Sequence, residues 1–165
     1  MNEQATPTHA NSPDLESARQ RVESQPFTRL LQAKLIAVGA DSCELRIAIR
    51  PDLLQQHGFV HGGVISYAAD NALTIAGAQA MAAPVVTSEF KINYLRPVQG
   101  DAIIARARCV HAGRSQAVSQ CNIVVVCGDE EKLCAVAQGT ISLLAKPKPA
   151  EPEPNKSYAG GDCSA

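Results

Sequence analysis

The stretch that decides the reading is "GFVHGGVISYAADNAL", Gly58 to Leu73. A histidine and two glycines run straight into an alanine-rich apolar segment, which Asp70 and Asn71 interrupt. The segment continues too far for a strand and is rich in the strongest helix former, so it predicts a helix from about Gly62 to about Met81. A helix that is apolar on almost every side has to be covered. Asp70 is the only carboxylate between residues 64 and 83. Inside a covered helix it is costly unless it is paired or functional; the alternative is that it reaches solvent or caps a break beside Asn71.

Gly62 and Gly63 stand where the helix should begin. Glycine lets backbone approach a ligand closely, and the free N–H groups at a helix start favour a developing oxyanion. A tight strand-to-helix turn needs glycine as well, and both readings can hold together. Asp70 follows Gly62 by eight positions, about two helical turns, so on one helix the two could act on one carbonyl. His57 and His61 have the spacing of a metal pair. Gly58 lies between them, the setting is a loop and no third ligand is near, so no metal is expected and His61 reads as a turn anchor. Ser66 lacks the G-x-S-x-G context of a serine hydrolase, and no phosphate-binding glycine motif is present.

The flanking sequence supplies the cover. In "SPDLESARQRVESQ", Ser12 can cap a helix with Pro13 at its first position. "PFTRLLQAKLIAVGAD" is a second apolar segment. "SCELRIAIRP" alternates Cys43, Leu45, Ile47 and Ile49 against Glu44, Arg46 and Arg50, which is a strand. Four more strand candidates follow the helix: "VTSEFKINYLRP", "GDAIIARARCVHAG", "SQAVSQCNIVVVCGD" and "KLCAVAQGTISLLAK". Short turns such as "HAGRS" and "GDEE" make consecutive strands antiparallel neighbours. The expected architecture is α+β, a long central helix wrapped by a five- to six-stranded antiparallel sheet. Residues 1–26 are read as a flexible N-terminal segment with a helix, 27–145 as the folded domain, and 146–165 as a disordered Pro-, Lys- and Glu-rich tail.

Composition narrows the function. The 165 residues suit one domain, and 45% hydrophobic content suits a real core. A net charge of -1 and the absence of Trp argue against nucleic acid and anionic membrane as partners. No apolar run reaches the roughly 20 residues of a membrane span, and the N-terminus lacks a signal-peptide core, so the cytoplasm is the expected location. Cys43, Cys109, Cys121, Cys127, Cys134 and Cys163 show no C-x-x-C spacing and read mostly as small buried hydrophobes.

"QQHGFVHGGVISYAADNALTIAG", with "VVTSEFKINYLRPVQGD" and "HAGRSQAVSQCNI" downstream, resembles the hotdog-fold acyl-CoA thioesterases of the phenylacetate-degradation (PaaI-like) type over about residues 27–145. The resemblance implies a hotdog fold and hydrolysis of an acyl- or aryl-CoA thioester to free acid and CoA without a cofactor. It implies that Gly62 donates its backbone N–H to the thioester carbonyl and that Asp70 is the catalytic carboxylate, as nucleophile or as general base. Gln55 stands where many members have Asn and would orient substrate or water. Thr74 and Thr87 match positions whose hydroxyls hold water, and His61 and Gly63 border the substrate. Arg96 and Arg114 are the candidates for the CoA phosphates. In that family the site is shared across a dimer interface, so Asp70 and Thr74 would face Gln55 and Gly62 of a second copy in a homodimer or homotetramer. This displaces the single-helix geometry above. The rival readings are a non-catalytic acyl-CoA-binding protein, which would bind CoA esters without releasing thiol, and a hotdog hydratase or dehydratase, which would act on an enoyl-CoA.

Overall fold

The structure is a computed structural model that describes residues 14–145. Ser12, Pro13, Cys163 and the tail from residue 146 lie outside the described residues. The elements run α1 (Leu15–Glu23), α2 (Pro26–Leu31), β1 (Lys34–Val38), β2 (Ser42–Ala48), a 3-10 turn (Pro51–Leu53), α3 (Gly62–Met81), β3 (Val85–Tyr94), β4 (Ala102–Ala112), β5 (Gln116–Cys127) and β6 (Glu130–Leu143). The strands form one six-stranded antiparallel sheet in the order β1-β2-β4-β5-β6-β3. α3 occupies the predicted span and lies in the hollow of that sheet.

The alanines explain the close packing. Ala68, Ala69, Ala72 and Ala76 are fully buried on α3, opposite Leu45, Ile47, Ile103, Ala105, Ile123 and Ile141 of the sheet. Small side chains let the helix axis sit low on the sheet, where each buried methyl group removes apolar surface from water. Gly77 takes this furthest: a methyl group there would stand 3.0 Å from the Ile141 side chain.

Three local outcomes differ from the sequence reading, while the cysteines follow it. The cap of α1 is Asp14, not Ser12, and the helix starts at Leu15; the Asp14 carboxylate accepts from the N–H groups of Glu16 and Ser17 at 3.1 and 3.3 Å. The segment "PFTRLLQAKLIAVGAD" divides into α2 and β1, separated by Gln32 in the left-handed region (φ 53°). β3 does not pair with β4. It crosses to the far side of the sheet and pairs with β6, while β4–β5 and β5–β6 are the expected neighbours. Cys43, Cys109, Cys121 and Cys134 are buried free thiols, but Cys127 is exposed.

The two sheet edges are treated differently. α1 lies against β1, with Arg19 Nε donating to the Leu35 carbonyl at 3.1 Å and the Leu35 N–H donating to Glu23 Oε1 at 3.3 Å, so this edge is covered. α1 joins the main core through Ala18 and Val22. The outer edge of β3 pairs with no other strand among the described residues. No described helix is long and apolar enough to cross a membrane.

Candidate active site

The start of α3 is built around its first residue. His61 precedes it in extended backbone (φ -60°, ψ 134°), and its Nδ1 accepts the Gly63 N–H at 2.9 Å. The His61 carbonyl accepts the Val64 N–H at 2.9 Å. These bonds use the second and third N–H groups of the helix. The Gly62 N–H has no acceptor among the described residues. It is a free donor at the positive end of a 20-residue helix. Gly63, whose N–H is taken by His61, has no such donor to offer.

Gln55 is held nearby in a turn. Gly58, at φ 81°, returns its N–H to the Gln55 carbonyl at 2.9 Å, a backbone state that favours glycine. The Gln55 side chain accepts the His57 N–H through Oε1 at 2.7 Å. Gln55, Gly62 and Arg96 line one open cleft of about 440 Å³ together with Phe59, Ile65 and Tyr94. Sequence reasoning missed Tyr94 at this position. Its hydroxyl donates to the Gly62 carbonyl at 3.0 Å and bonds Ser66 Oγ. Its signal is the period-two series Phe90, Ile92, Tyr94, which puts all three side chains on one strand face.

Asp70 lies further along α3, half-buried. Thr87 Oγ1 donates to Asp70 Oδ1 at 2.7 Å. Thr74 Oγ1 stands 2.7 Å from Thr87 Oγ1 and 2.8 Å from the Asp70 carbonyl. Asp70 Oδ2 has no partner among the described residues. The bulge between Thr87 and Glu89 makes this arrangement possible. It shifts the strand phase by one residue, so that Thr87 on one side and Phe90 and Ile92 on the other all turn toward α3.

Gly62, Ser66, Asp70 and Thr74 recur every four residues and form one polar stripe along the helix. The stripe meets β3, with Tyr94 at its Gly62 end and Thr87 at its Thr74 end. Eight residues separate Gly62 from Asp70, about 12 Å at 1.5 Å per residue. On this rise the two groups stand two helical turns apart on one chain, not side by side as their shared helix face suggests. Arg96 follows the Tyr94 end of β3. Arg114 sits in the β4–β5 turn, where the Leu143 N–H donates to the Ser115 carbonyl at 3.0 Å and Leu143 pairs with Val85, so it belongs to the opposite end. Both arginines are exposed. No cluster of three or more metal-ligating side chains occurs among the described residues.

Residues 57–132 match the family model described as thioesterase superfamily. A Haemophilus influenzae protein named a putative esterase is 31% identical over 116 residues, covering 69% of this chain and 82% of that protein. Among solved structures, a thioesterase family protein from Silicibacter pomeroyi superposes with a TM-score of 0.72 at 30% identity, over 79% of this chain and 96% of the other. A mutant of the phenylacetic acid degradation protein PaaI from Thermus thermophilus superposes with a TM-score of 0.66 at 29% identity, over 73% of this chain and 100% of the other.

Proposed function

The chain belongs to the thioesterase superfamily, and from that membership we propose that it hydrolyses an acyl-CoA thioester to a free acid and CoA. The observation that carries the proposal is the bond from Thr87 Oγ1 to Asp70 Oδ1 at 2.7 Å, which fixes a half-buried carboxylate with its second oxygen free.

The unpaired Gly62 N–H supplies the other requirement, a fixed donor where carbonyl oxygen gains charge. The separation of about 12 Å and the open edge of β3 support a homo-oligomer in which Asp70 and Thr74 of one copy work with Gln55 and Gly62 of another. Oxygen from water bonds to the carbonyl carbon, the C–S bond breaks, and CoA leaves as the thiol. Asp70 either takes the proton from that water or attacks the carbon first and is released by water. Thr74 and Thr87 hold the carboxylate and the water, and the arginines at the two ends offer charge to the CoA phosphates.

The test is release of free CoA thiol, with acyl-CoA in excess, by the wild-type protein and by Asp70→Asn. General acid–base or nucleophilic loss predicts a fall in kcat of about a thousandfold, with an unchanged circular dichroism spectrum. Undiminished turnover by the folded variant overturns the assignment of Asp70.

A further inference from the structure

Beyond the reaction itself, we infer that a pocket walled by the N-terminal helix receives the acyl group, and that Arg21 and Gln79 at its far end exclude long apolar chains. This rests on the thioesterase reading and adds the substrate's size class to it. The pocket lies between α1 and α3, starting at Thr74, the residue that bonds Thr87 beside the Asp70 carboxylate. Its apolar walls are Ala18 and Val22 of α1, Ile75 and Ala78 of α3, and Val85 of β3, while Gln25 and Asn71 add polar groups to the lining. An acyl chain whose carbonyl lies at Asp70 therefore has a partly apolar channel leading away from the reaction centre.

The wall is held by a one-way chain of hydrogen bonds. Asn71 Nδ2 donates to the Tyr67 hydroxyl at 2.8 Å, which donates to Thr28 Oγ1 at 2.7 Å, which donates to Gln25 Oε1 at 3.2 Å. The Phe27 ring meets the Tyr67 ring edge-on at a centroid distance of 5.1 Å. These contacts tie the α1–α2 joint to α3 and fix the width of the pocket.

Its volume is about 190 Å³. An apolar cavity of about 150 Å³ holds one benzene ring, so this one holds a single ring or an alkyl chain of up to about eight carbons. A second cavity of about 520 Å³ follows along α3, lined by Ala82, Ala83 and Pro84. Arg21, Ala78 and Gln79 line both. Neither the Arg21 guanidinium nor the Gln79 amide has a protein partner among the described residues. A longer alkyl chain would have to pass between a hydrated cation and a hydrated amide, and it would strip their water without replacing it.

The test is kcat/KM across saturated acyl-CoAs from two to sixteen carbons and phenylacetyl-CoA, below their micelle concentrations. The expected profile rises to about six to eight carbons and falls at least tenfold by twelve. Arg21→Leu and Gln79→Leu should each move the optimum to longer chains, with each newly accommodated methylene adding up to about fourfold. Arg21 lies on the exposed face of α1, so its replacement does not threaten the fold, and Gln79→Leu tests the boundary from α3. A wild-type profile that stays level to sixteen carbons, or variants that leave the optimum in place, overturns the inference while leaving the hydrolase intact. Failure of every CoA ester to release thiol overturns the thioesterase reading and this inference with it.

Discussion

Gly62→Pro removes the backbone N–H and puts the ring's Cδ in its place. Proline has no N–H, and the Gly62 N–H is bonded to nothing among the described residues, so the fold loses no hydrogen bond. Gly62 is the first residue of α3, the position where proline is favoured. The residue before a proline must be extended, and His61 already is, at φ -60° and ψ 134°. A Cβ at Gly62 would meet Tyr94 at 3.5–3.8 Å, an ordinary contact. Thermal stability should therefore hold or rise by up to about 1 kcal/mol as the unfolded chain loses freedom. Loss of one preorganised oxyanion donor costs about 3–4 kcal/mol in the transition state, or 10²–10³-fold in kcat. Gly62→Ala is the control: it adds the Cβ, keeps the N–H, and should retain kcat within a few-fold. The assay is steady-state thiol release by both variants beside a melting curve. A folded proline variant with kcat within threefold of wild type would refute the role of Gly62, and equal collapse of the alanine variant would show that space, not the donor, is what matters.

Two further predictions concern the fold. At Gly139 an added Cβ would lie 2.8 Å from both the Glu89 carbonyl oxygen and Phe90 Cβ and 3.3 Å from Leu73 Cδ1. Gly139→Ala must push β3 away from β6, so it should cost about 1–3 kcal/mol and lower Tm by about 3–10 °C; an unchanged Tm by calorimetry contradicts that packing. Burial raises the Cys43 thiol from 9.0 to about 12 and Cys134 to about 11, and it pushes Cys121 in the same direction. A folded pKa above the unfolded one gives stability that is complete below pH 9 and is lost as pH climbs through 9–12. Cys43 and Cys121 should each contribute a slope of about 1.4 kcal/mol per pH unit above pH 9. Urea midpoints measured under reductant should fall between pH 9 and 11 and fall less in Cys43→Ala; level midpoints across that range refute the burial argument.

The sequence carried α3 clearly because two local signals coincide there. A paired glycine start and an alanine-rich body fix both its beginning and its depth in the core. β2, β4, β5 and β6 were legible for the same local reason, since alternation and tight turns are written within a few residues. The place of β3 was not. Its pairing with β6 joins Thr87 to Ile141 across more than fifty residues, and alternation states only that a strand exists, not which strand lies beside it. β1 was hidden because its five residues follow a helix without a glycine or proline between them; Gln32 takes the left-handed turn instead. The Ser12 cap failed because Asp14, two residues on, offers a carboxylate that reaches two N–H groups of the first turn.

The candidate site was legible in its members but not in its division. Asp70 stood out because it is the only charged side chain in an alanine-rich helix, and Gly62 because a helix start needs a reason for two glycines. Their spacing misled because eight positions return to the same face of a helix, so periodicity made them look like partners while the rise kept them apart. The four-residue recurrence of Gly62, Ser66, Asp70 and Thr74 is the more informative pattern. A core helix that faced the sheet on every side would have no use for a polar stripe. This stripe runs under β3, whose outer edge pairs with no other strand among the described residues, and the two ends of that strand supply Tyr94 and Thr87. Because β3 runs antiparallel to α3, a second copy paired edge to edge along β3 in the antiparallel sense sets the Gly62 end of one stripe beside the Asp70 end of the other. In the proposed homodimer, the separation that keeps the two groups of one chain apart would let two chains make two identical sites, each with its own donor, carboxylate and pair of arginines.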